Sequence, residues 1–213
     1  MVLGANDGII STACLILGVA AADATRNAIL TAGMAGLVAG AVSMGLGEYV
    51  SVSSQSDAER ADIAKETWEL ETMPDHELDE LTAIYAAKGL PQALAREVAE
   101  ELTKHDALAI HLAEELGITD TTAARPVQAA VGSAVAFTTG AAIPLVTAAI
   151  ASSDSRIFST LVVVTFSLGG LGWAGARFGQ AETRKPTVRV VVGGLIAMGI
   201  TMLVGNLFGA AIG

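Results

Sequence analysis

Residues 27–47 read NAILTAGMAGLVAGAVSMGLG, and no charged side chain occurs in this stretch. A helix needs about 20 predominantly apolar residues to cross the hydrocarbon core of a bilayer. Four further apolar runs reach or approach that length: Gly8–Ala22, Val127–Ser153, Ile157–Ala176 and Val190–Gly213. The first of these is long enough only if its helix also includes Val2–Asp7. Because core helices of soluble proteins rarely run so far without a polar face, the sequence predicts five membrane-spanning helices.

The composition agrees with a membrane protein and narrows its partners. Of the 213 residues, 52% are hydrophobic and only 16% are charged, whereas soluble domains carry about 25% charged residues. The 23 glycines are typical of helices that approach closely in a bilayer. A net charge of −10 argues against nucleic acid, which requires a basic surface, and indicates a cationic partner. The single cysteine, Cys14, excludes a disulfide framework and a thiolate metal site.

The distribution of Lys and Arg predicts the orientation in the membrane, because cytoplasmic loops carry the excess of these residues. With five spans, the connections on one side contain only Arg26 and Arg156. The long insert and the loop between the fourth and fifth spans contain the other ten. We therefore expect the N-terminus and the insert to be cytoplasmic and the C-terminus to lie on the opposite side.

The insert between the second and third spans has the composition of a helical domain. Its Ala, Glu, Leu and Lys content favours helices, and Pro74 and Gly89-Leu90-Pro91 divide it. Three helices are predicted: roughly Ser54–Glu71, Asp75–Lys88 and Gln92–Leu116. No Pro or Gly occurs between Glu48 and Met73, so the second span should continue directly into the first of them. The predicted fold is an all-α membrane protein with five transmembrane helices and a cytoplasmic three-helix acidic domain, with segments at 1–53, 54–122 and 123–213.

Acidic residues are concentrated in this insert, where 17 Asp or Glu and five Lys or Arg lie between Asp57 and Asp120. Side chains three or four positions apart on a helix lie about 5–6 Å apart at Cβ. This spacing is found in the stripe Asp62, Glu66, Glu69 and Met73, and in the pairs Glu77/Glu80 and His111/Glu115. Carboxylates with one imidazole suit Mn2+ and Fe2+, which indicates a metal-binding domain. A plain solvated acidic surface fits the spacing equally well. His76 and His105 have no comparable pattern, and we expect both to be solvent-exposed.

Two acidic residues lie near the membrane interior, Asp7 in the first span and Glu48 at the end of the second. A charge at the bilayer centre costs about 3 kcal/mol or more, so such residues usually face an aqueous path. Met44 precedes Glu48 by one turn, and a carboxylate with a thioether favours Fe2+ over Ca2+ or Mg2+. Simpler roles remain open: Asp7 as an interfacial helix cap, Met44 as a packing residue, and Glu48 as a side chain that extends to the cytoplasmic boundary.

Three strings carry a resemblance to a known family: NDGIIST at residues 6–12, AGAVSMGLGEY at residues 39–49 and IPL at residues 143–145. With these strings in this order along essentially the whole chain, the sequence resembles the vacuolar iron transporter family. The first two strings are specific, whereas the acidic domain matches mainly by position and spacing.

The resemblance implies a homodimer that is not an enzyme and exports Fe2+ from the cytoplasm in exchange for protons, through a path between the protomers. It implies no permanently bound cofactor; Mn2+, Zn2+ and Co2+ are further candidate substrates. Asp7 and Met44 match the family's pore ligands. The glutamates that match its metal-collecting positions are Glu66, Glu69, Glu77, Glu80 and Glu115. The membrane would be the plasma membrane in a prokaryote and the vacuolar membrane in a eukaryote.

The sequence departs from the family pattern at three places. Gly36 occupies the position of a glutamate that plant and parasite members carry two turns before the pore methionine, which leaves Glu48 as the candidate for proton coupling. His111 and Leu112 replace methionines, which makes the domain harder in character and favours Mn2+. The chain also begins almost at the first span, so we expect an N-terminal segment to be missing.

Two rival functions follow from the same residues. A membrane-anchored metal-binding or buffering protein would bind metal without transporting it. A ferritin-like oxidase would need Glu-x-x-His pairs on facing helices, and no Glu precedes a His by three residues here. The oxidase is therefore disfavoured, and the buffering protein remains the alternative to a transporter.

Overall fold

A computed structural model describes residues 2–119 and 124–212, and all regular secondary structure in these residues is α-helical. The helices are α1 (Val2–Ala21), α2 (Arg26–Thr72), α3 (Pro74–Ala87), α4 (Gln92–Glu114), α5 (Pro126–Ile150), α6 (Arg156–Phe178) and α7 (Arg184–Ile212). The predicted all-helical class is confirmed. The chain divides into two compact units, Met1–Tyr49 with Val127–Gly213 and Val50–Pro126. The domain borders predicted at residues 54 and 122 remain predictions.

Among the described residues, five helices are long and apolar enough to cross a membrane: α1, α2, α5, α6 and α7. Helix α1 includes Val2–Asp7, which brings it to 20 residues and thus to about 30 Å. Helix α2 is continuous over 47 residues, as predicted from the lack of Pro and Gly between Glu48 and Met73. Because about 20 residues span a bilayer, the charged second half of α2 lies outside the spanning segment.

The outer surface of the first unit is apolar. Val38, Leu46, Phe166 and Leu207 are each more than half exposed. Exposing apolar surface to water costs about 25 cal/mol per Å2, but the same surface is favourable against lipid tails. The five apolar helices and this surface define a multi-pass membrane protein.

Helix α1 packs tightly within the first unit. A Cβ atom at Gly8 would collide with the backbone of α5, and one at Gly140 would collide with the backbone of α1, so these helices touch at backbone distance. The opposite side of α1 buries Ile9, Ala13 and Leu17 against α6 and α7. One side of α1, at residues 3, 7, 11 and 15, is exposed.

Two arginines cap the C-terminal end of α5. Arg26 donates a hydrogen bond from Nη2 to the carbonyl oxygen of Ala149 at 2.5 Å, and the buried Arg156 donates from Nε to that of Ala148 at 3.0 Å. The last carbonyl groups of a helix lack intrahelical partners and carry the negative end of its dipole. Both guanidinium groups are therefore engaged at a helix end.

The second unit is built around the contact between α3 and α4. Leu81 and Tyr85 of α3 are buried against Ala95 and Ala99 of α4. Gly89 in the connecting loop has a φ of +102°, a left-handed conformation that favours glycine. The Gly89-Leu90-Pro91 stretch thus ends α3 and starts α4, as the sequence predicts.

Helix α4 is interrupted at Asp106, which the sequence analysis did not anticipate. Asp106 has φ −159° and ψ 90°, and its Oδ1 accepts a hydrogen bond from the backbone N–H of Ala109 at 3.0 Å. An aspartate that accepts from the third following N–H acts as a helix N-cap. The segment after this break carries His111 and Glu115, so the break sets their direction.

Candidate metal centre

Side chains from three helices meet in the interior of the second unit: Glu66 of α2, Glu77 of α3 and His111 of α4. The carboxylates are each 3% exposed and the imidazole is fully buried. His111 Nδ1 lies 2.9 Å from Glu66 Oε1 and 3.8 Å from Glu77 Oε2. Glu115 Oε2, on a side chain that is 26% exposed, lies 3.8 Å from the same nitrogen. One buried imidazole therefore faces three carboxylates.

Hydrogen bonding does not account for this cluster. Glu66 Oε1 and both ring nitrogens of His111 are buried without a hydrogen-bond partner among the described residues. The 2.9 Å contact between Glu66 and His111 has the length of an ion pair but not the alignment that a hydrogen bond requires. An unsatisfied buried polar group costs about 1–3 kcal/mol. Buried charged groups are normally paired or coordinate metals, and Glu66, Glu77 and His111 form a group of ligand atoms that could hold a metal ion.

The distances between these atoms are close to those of ligands that share one ion. A six-coordinate ion with bonds of about 2.1 Å holds neighbouring ligand atoms about 3 Å apart. Glu66 and His111 already have this separation, at 2.9 Å. Glu77 and Glu115, each 3.8 Å from the imidazole, would reach it by small side-chain rotations. Carboxylates with one imidazole suit Mn2+, Fe2+ and Zn2+.

Glu77 extends the cluster towards the surface. Its second oxygen, Oε1, lies 3.5 Å from Nδ1 of His76, and Glu80 Oε2 lies 4.0 Å from the same nitrogen. The His76 side chain is 71% exposed and that of Glu80 is 40% exposed. His76, Glu77 and Glu80 thus form a second, more open group of metal-type ligands, which shares Glu77 with the buried group.

The crowding of carboxylates changes their protonation. Burial, followed by the charges of Glu115, Glu77, Glu69 and Glu80, raises the pKa of Glu66 to about 7. Burial and the charge of Glu80 also raise the pKa of Glu115, against the opposing effect of His111. A divalent ion stabilises the ionised carboxylates and is displaced by protons. A metal ion at this site would therefore compete with protons for Glu66 near neutral pH.

The predicted acidic stripe on α2 is only partly used. Glu66 enters the cluster, whereas Glu69 forms an ion pair with Lys65 at 3.0 Å. Asp62 and Met73 are exposed. Glu69 lies close enough for its charge to raise the pKa of Glu66. Of these four residues, only Glu66 is buried by the packing of the helices.

Two residues beside the cluster are not among the candidates that the sequence indicates. His76 is 71% exposed, as the sequence predicts, but it also lies beside Glu77 and Glu80. Its i, i+4 spacing from Glu80 is the rule that selected His111 and Glu115, so the signal was available. The role of Asp106 in directing His111 depends on a helix break for which the neighbouring residues carry no strong signal.

The candidate residues of the membrane segment have different surroundings. Asp7 and Glu48 are exposed and Met44 is partly buried. No hydrogen bond or ion pair joins them to one another or to any other side chain in the described ranges. Asp7 belongs to the exposed stripe of α1 that also contains Leu3, Ser11 and Leu15. The predicted grouping of Asp7, Met44 and Glu48 remains a prediction.

The fold and the acidic cluster together define a multi-pass helical membrane protein with a separate unit rich in metal-type ligands. A family model described as the VIT family matches residues 1–206. The chain belongs to the VIT family, whose members are transporters and not enzymes. The resemblance found in the sequence is thereby confirmed.

Individual relatives agree with this assignment. The chain is 43% identical over 207 residues to the vacuolar iron transporter of Acanthamoeba castellanii, covering 97% of this chain and 76% of that protein. It is 35% identical over 209 residues to vacuolar iron transporter homolog 2 of Arabidopsis thaliana, covering 98% and 82%. Homolog 1 of Oryza sativa subsp. japonica is 36% identical over 209 residues, covering 98% and 72%.

Proposed function

We propose that the protein exports Fe2+, and Mn2+ as a second substrate, from the cytoplasm by exchange with protons, as a homodimer with the ion path between its protomers. The acidic unit collects the ion on the cytoplasmic side, and Asp7 and Met44 of both protomers bind it within the membrane. The relatives named vacuolar iron transporters support iron as the substrate.

The observation that carries this proposal is the buried imidazole of His111 among three carboxylates. Its two nitrogens and Glu66 Oε1 are unsatisfied, and the ligand atoms lie at separations of 2.9 and 3.8 Å. A solvated acidic surface would leave its carboxylates exposed and separate. We therefore favour metal capture over the plain acidic surface as the role of this unit.

The exposure of Asp7 supports a dimer. In one protomer this carboxylate lies on an otherwise uncharged stripe of α1 and has no partner in the described residues. An ionised group that faces lipid tails costs about 3 kcal/mol or more. A second protomer against this stripe would bring two Asp7 carboxylates to one path and remove them from lipid. A divalent ion between them would offset their charges.

Proton coupling is assigned to Glu48 because Gly36 supplies no carboxylate at the position where plant and parasite members carry a glutamate. A Cβ atom at Gly36 would approach Leu15 to 2.6 Å, so the glutamate of plant and parasite members would require Leu15 to move. Glu48 is exposed one turn beyond Met44 and is the nearest carboxylate on α2. It is our candidate for the group that exchanges metal for a proton.

The cytoplasmic placement of the acidic unit is supported by the two arginines on the opposite side. Arg26 and Arg156 are the only basic residues in the connections of that side, and both cap α5. Their positions therefore have a structural reason that is independent of membrane orientation. The remaining ten basic residues follow the positive-inside rule.

The test is flux in proteoliposomes that contain the purified full chain. With the compartment that receives metal at lower pH, Fe2+ under reducing conditions should accumulate against its gradient and protons should move in the opposite direction. Asp7→Asn should reduce the flux at least tenfold, whereas Asp154→Asn, which removes an exposed carboxylate from the α5–α6 connection, should not. Equal flux in the Asp7→Asn variant would refute the pore assignment.

The same preparation separates transport from buffering. A buffering protein would bind Fe2+ saturably and show no dependence of uptake on the pH gradient. Glu66→Gln should weaken binding and slow transport at low metal concentration, while saturating metal restores the rate, because collection and permeation are separate steps. Binding without gradient-driven flux in the wild type would establish the buffering alternative.

A further inference from the structure

We propose that the N-terminal end of α7 binds the headgroup of an anionic phospholipid, with one acyl chain in the adjoining groove. The groove has a volume of about 680 Å3 and lies along one face of α7. Its lining is mainly charged at the start of the helix and apolar further along: Glu182, Arg184, Lys185 and Arg189 with Val188 among them, then Val192, Gly193 and Ile196. This order, charged and then apolar along the helix axis, is the order of chemical groups in a phospholipid.

The depth of these residues follows from helix length. Helix α7 has 29 residues, and the part that follows Arg189 is alone about 35 Å long. Because the hydrocarbon core is about 30 Å thick, the apolar part fills it and the basic residues lie at the level of the headgroups. Trp173 and Phe178, near the end of α6, are 56% and 85% exposed, as is typical of aromatic residues at a membrane–water interface.

The charges at this site are available for a ligand. Arg184 and Arg189 are exposed and have no carboxylate within 4 Å in the described part of the chain. Lys185 lies 3.6 Å from Glu182, and both side chains are more than 60% exposed. By contrast, Arg26 and Arg156 donate hydrogen bonds to carbonyl oxygens at the end of α5. The guanidinium groups of Arg184 and Arg189 are therefore available to bind one phosphate group.

Gly193 gives the groove its room. It lines the groove, and a Cβ atom placed there would meet no heavy atom within 4 Å. The missing side chain leaves an open channel in the groove at this position. Neutral lipids would fill this channel too, so the charge selectivity is assigned to Arg184 and Arg189.

The experiment is native mass spectrometry of the full chain, released from micelles that contain equal amounts of dioleoyl-phosphatidylglycerol and dioleoyl-phosphatidylcholine. Each basic residue near an anionic headgroup contributes roughly fivefold. The wild type should therefore retain the anionic lipid over the neutral one, and the double variant Arg184→Gln/Arg189→Gln should lose about 25-fold of this preference. The control Arg60→Gln/Lys104→Gln removes two exposed charges from the second unit and should retain it.

Gly193→Leu tests the groove independently of charge. Leucine is a better helix former than glycine and the site has space, so we expect this variant to fold and to retain less of the anionic lipid. Gly199→Leu, at another open position of α7, is the matched control and should behave as wild type. Equal retention of both lipids by the wild type, or equal loss in a variant and its control, would overturn the proposal. A thermal stabilisation by inorganic phosphate as large as that by the anionic lipid would overturn the lipid as the ligand.

Discussion

The pKa of Glu66 leads to a quantitative prediction about metal capture. With a pKa of about 7, the carboxylate is about nine-tenths ionised at pH 8 and about one-tenth ionised at pH 6. If metal requires its ionised form, the apparent affinity should fall about tenfold over this interval from Glu66 alone, or about 1.4 kcal/mol. For a carboxylate with the ordinary pKa of 4.5, the ionised fraction would change by only about 3% over the same interval.

The assay is isothermal titration calorimetry of the full chain with Mn2+ at several pH values between 6 and 8. Other ionisable side chains lie around Glu66, namely Glu69, Glu77, Glu80, Glu115, His111 and Lys65. The comparison is therefore between the wild type and Glu66→Gln. The variant should bind Mn2+ more weakly than the wild type at pH 8. Its affinity should also fall about tenfold less than that of the wild type between pH 8 and pH 6. Glu71→Gln, on an exposed position of the same helix, should keep the wild-type slope.

The sign of the stability effect gives a second readout of the same group. Because the folded-state pKa of Glu66 lies above the ordinary value, the folded protein binds this proton more tightly than the unfolded chain does. Stability without metal should therefore fall as pH rises from about 4.5 to about 7, and Mn2+ should restore it above pH 7. Equal pH slopes of Mn2+ affinity in the wild type and Glu66→Gln would refute the reasoning, as would a metal-free melting temperature that rises across this range.

Three further substitutions test the structure around the sites. Gly8→Ala should prevent the close contact of α1 with α5, and should therefore lower the thermal midpoint and the yield of monodisperse protein. Gly47→Ala, with no atom near its added methyl group, should leave both quantities unchanged. Asp106→Ala removes an N-cap worth about 1 kcal/mol, and calorimetry should show weaker Mn2+ binding, because the segment that carries His111 loses its direction. Arg156→Lys should lower the thermal midpoint, since lysine keeps the charge but cannot reproduce the buried guanidinium hydrogen bond to the end of α5.

The sequence was most informative where local chemistry is decisive. The spans follow from apolar length, and the continuity of α2 follows from the absence of helix breakers between Glu48 and Met73. Glu66, Glu77 and His111, which form the buried cluster, are candidates by their spacing on individual helices. Which of the spaced residues would be buried together was not predictable, since Glu66 and Glu69 are indistinguishable by spacing and only the packing of three helices separates them.

The parts that were missed depend on long-range contacts. His76 becomes significant because Glu77 presents one oxygen to it and the other to His111, a geometry that no single helix defines. The break at Asp106 occurs near Thr103 and His105, which are weaker helix formers than Leu and Ala, but propensity alone does not place a break at one residue. The geometry at Glu77 depends on how two helices pack, and local patterns do not record this.

The shared carboxylate of Glu77 has a consequence for how two ions would occupy the acidic unit. Its oxygens point to different imidazoles, at 3.5 Å for the exposed His76 and 3.8 Å for the buried His111. An ion at either place draws on the same negative charge, so filling one place weakens the other. Two ions would then bind with negative cooperativity, the second held less tightly than the first, because each lowers the other's affinity by the same factor.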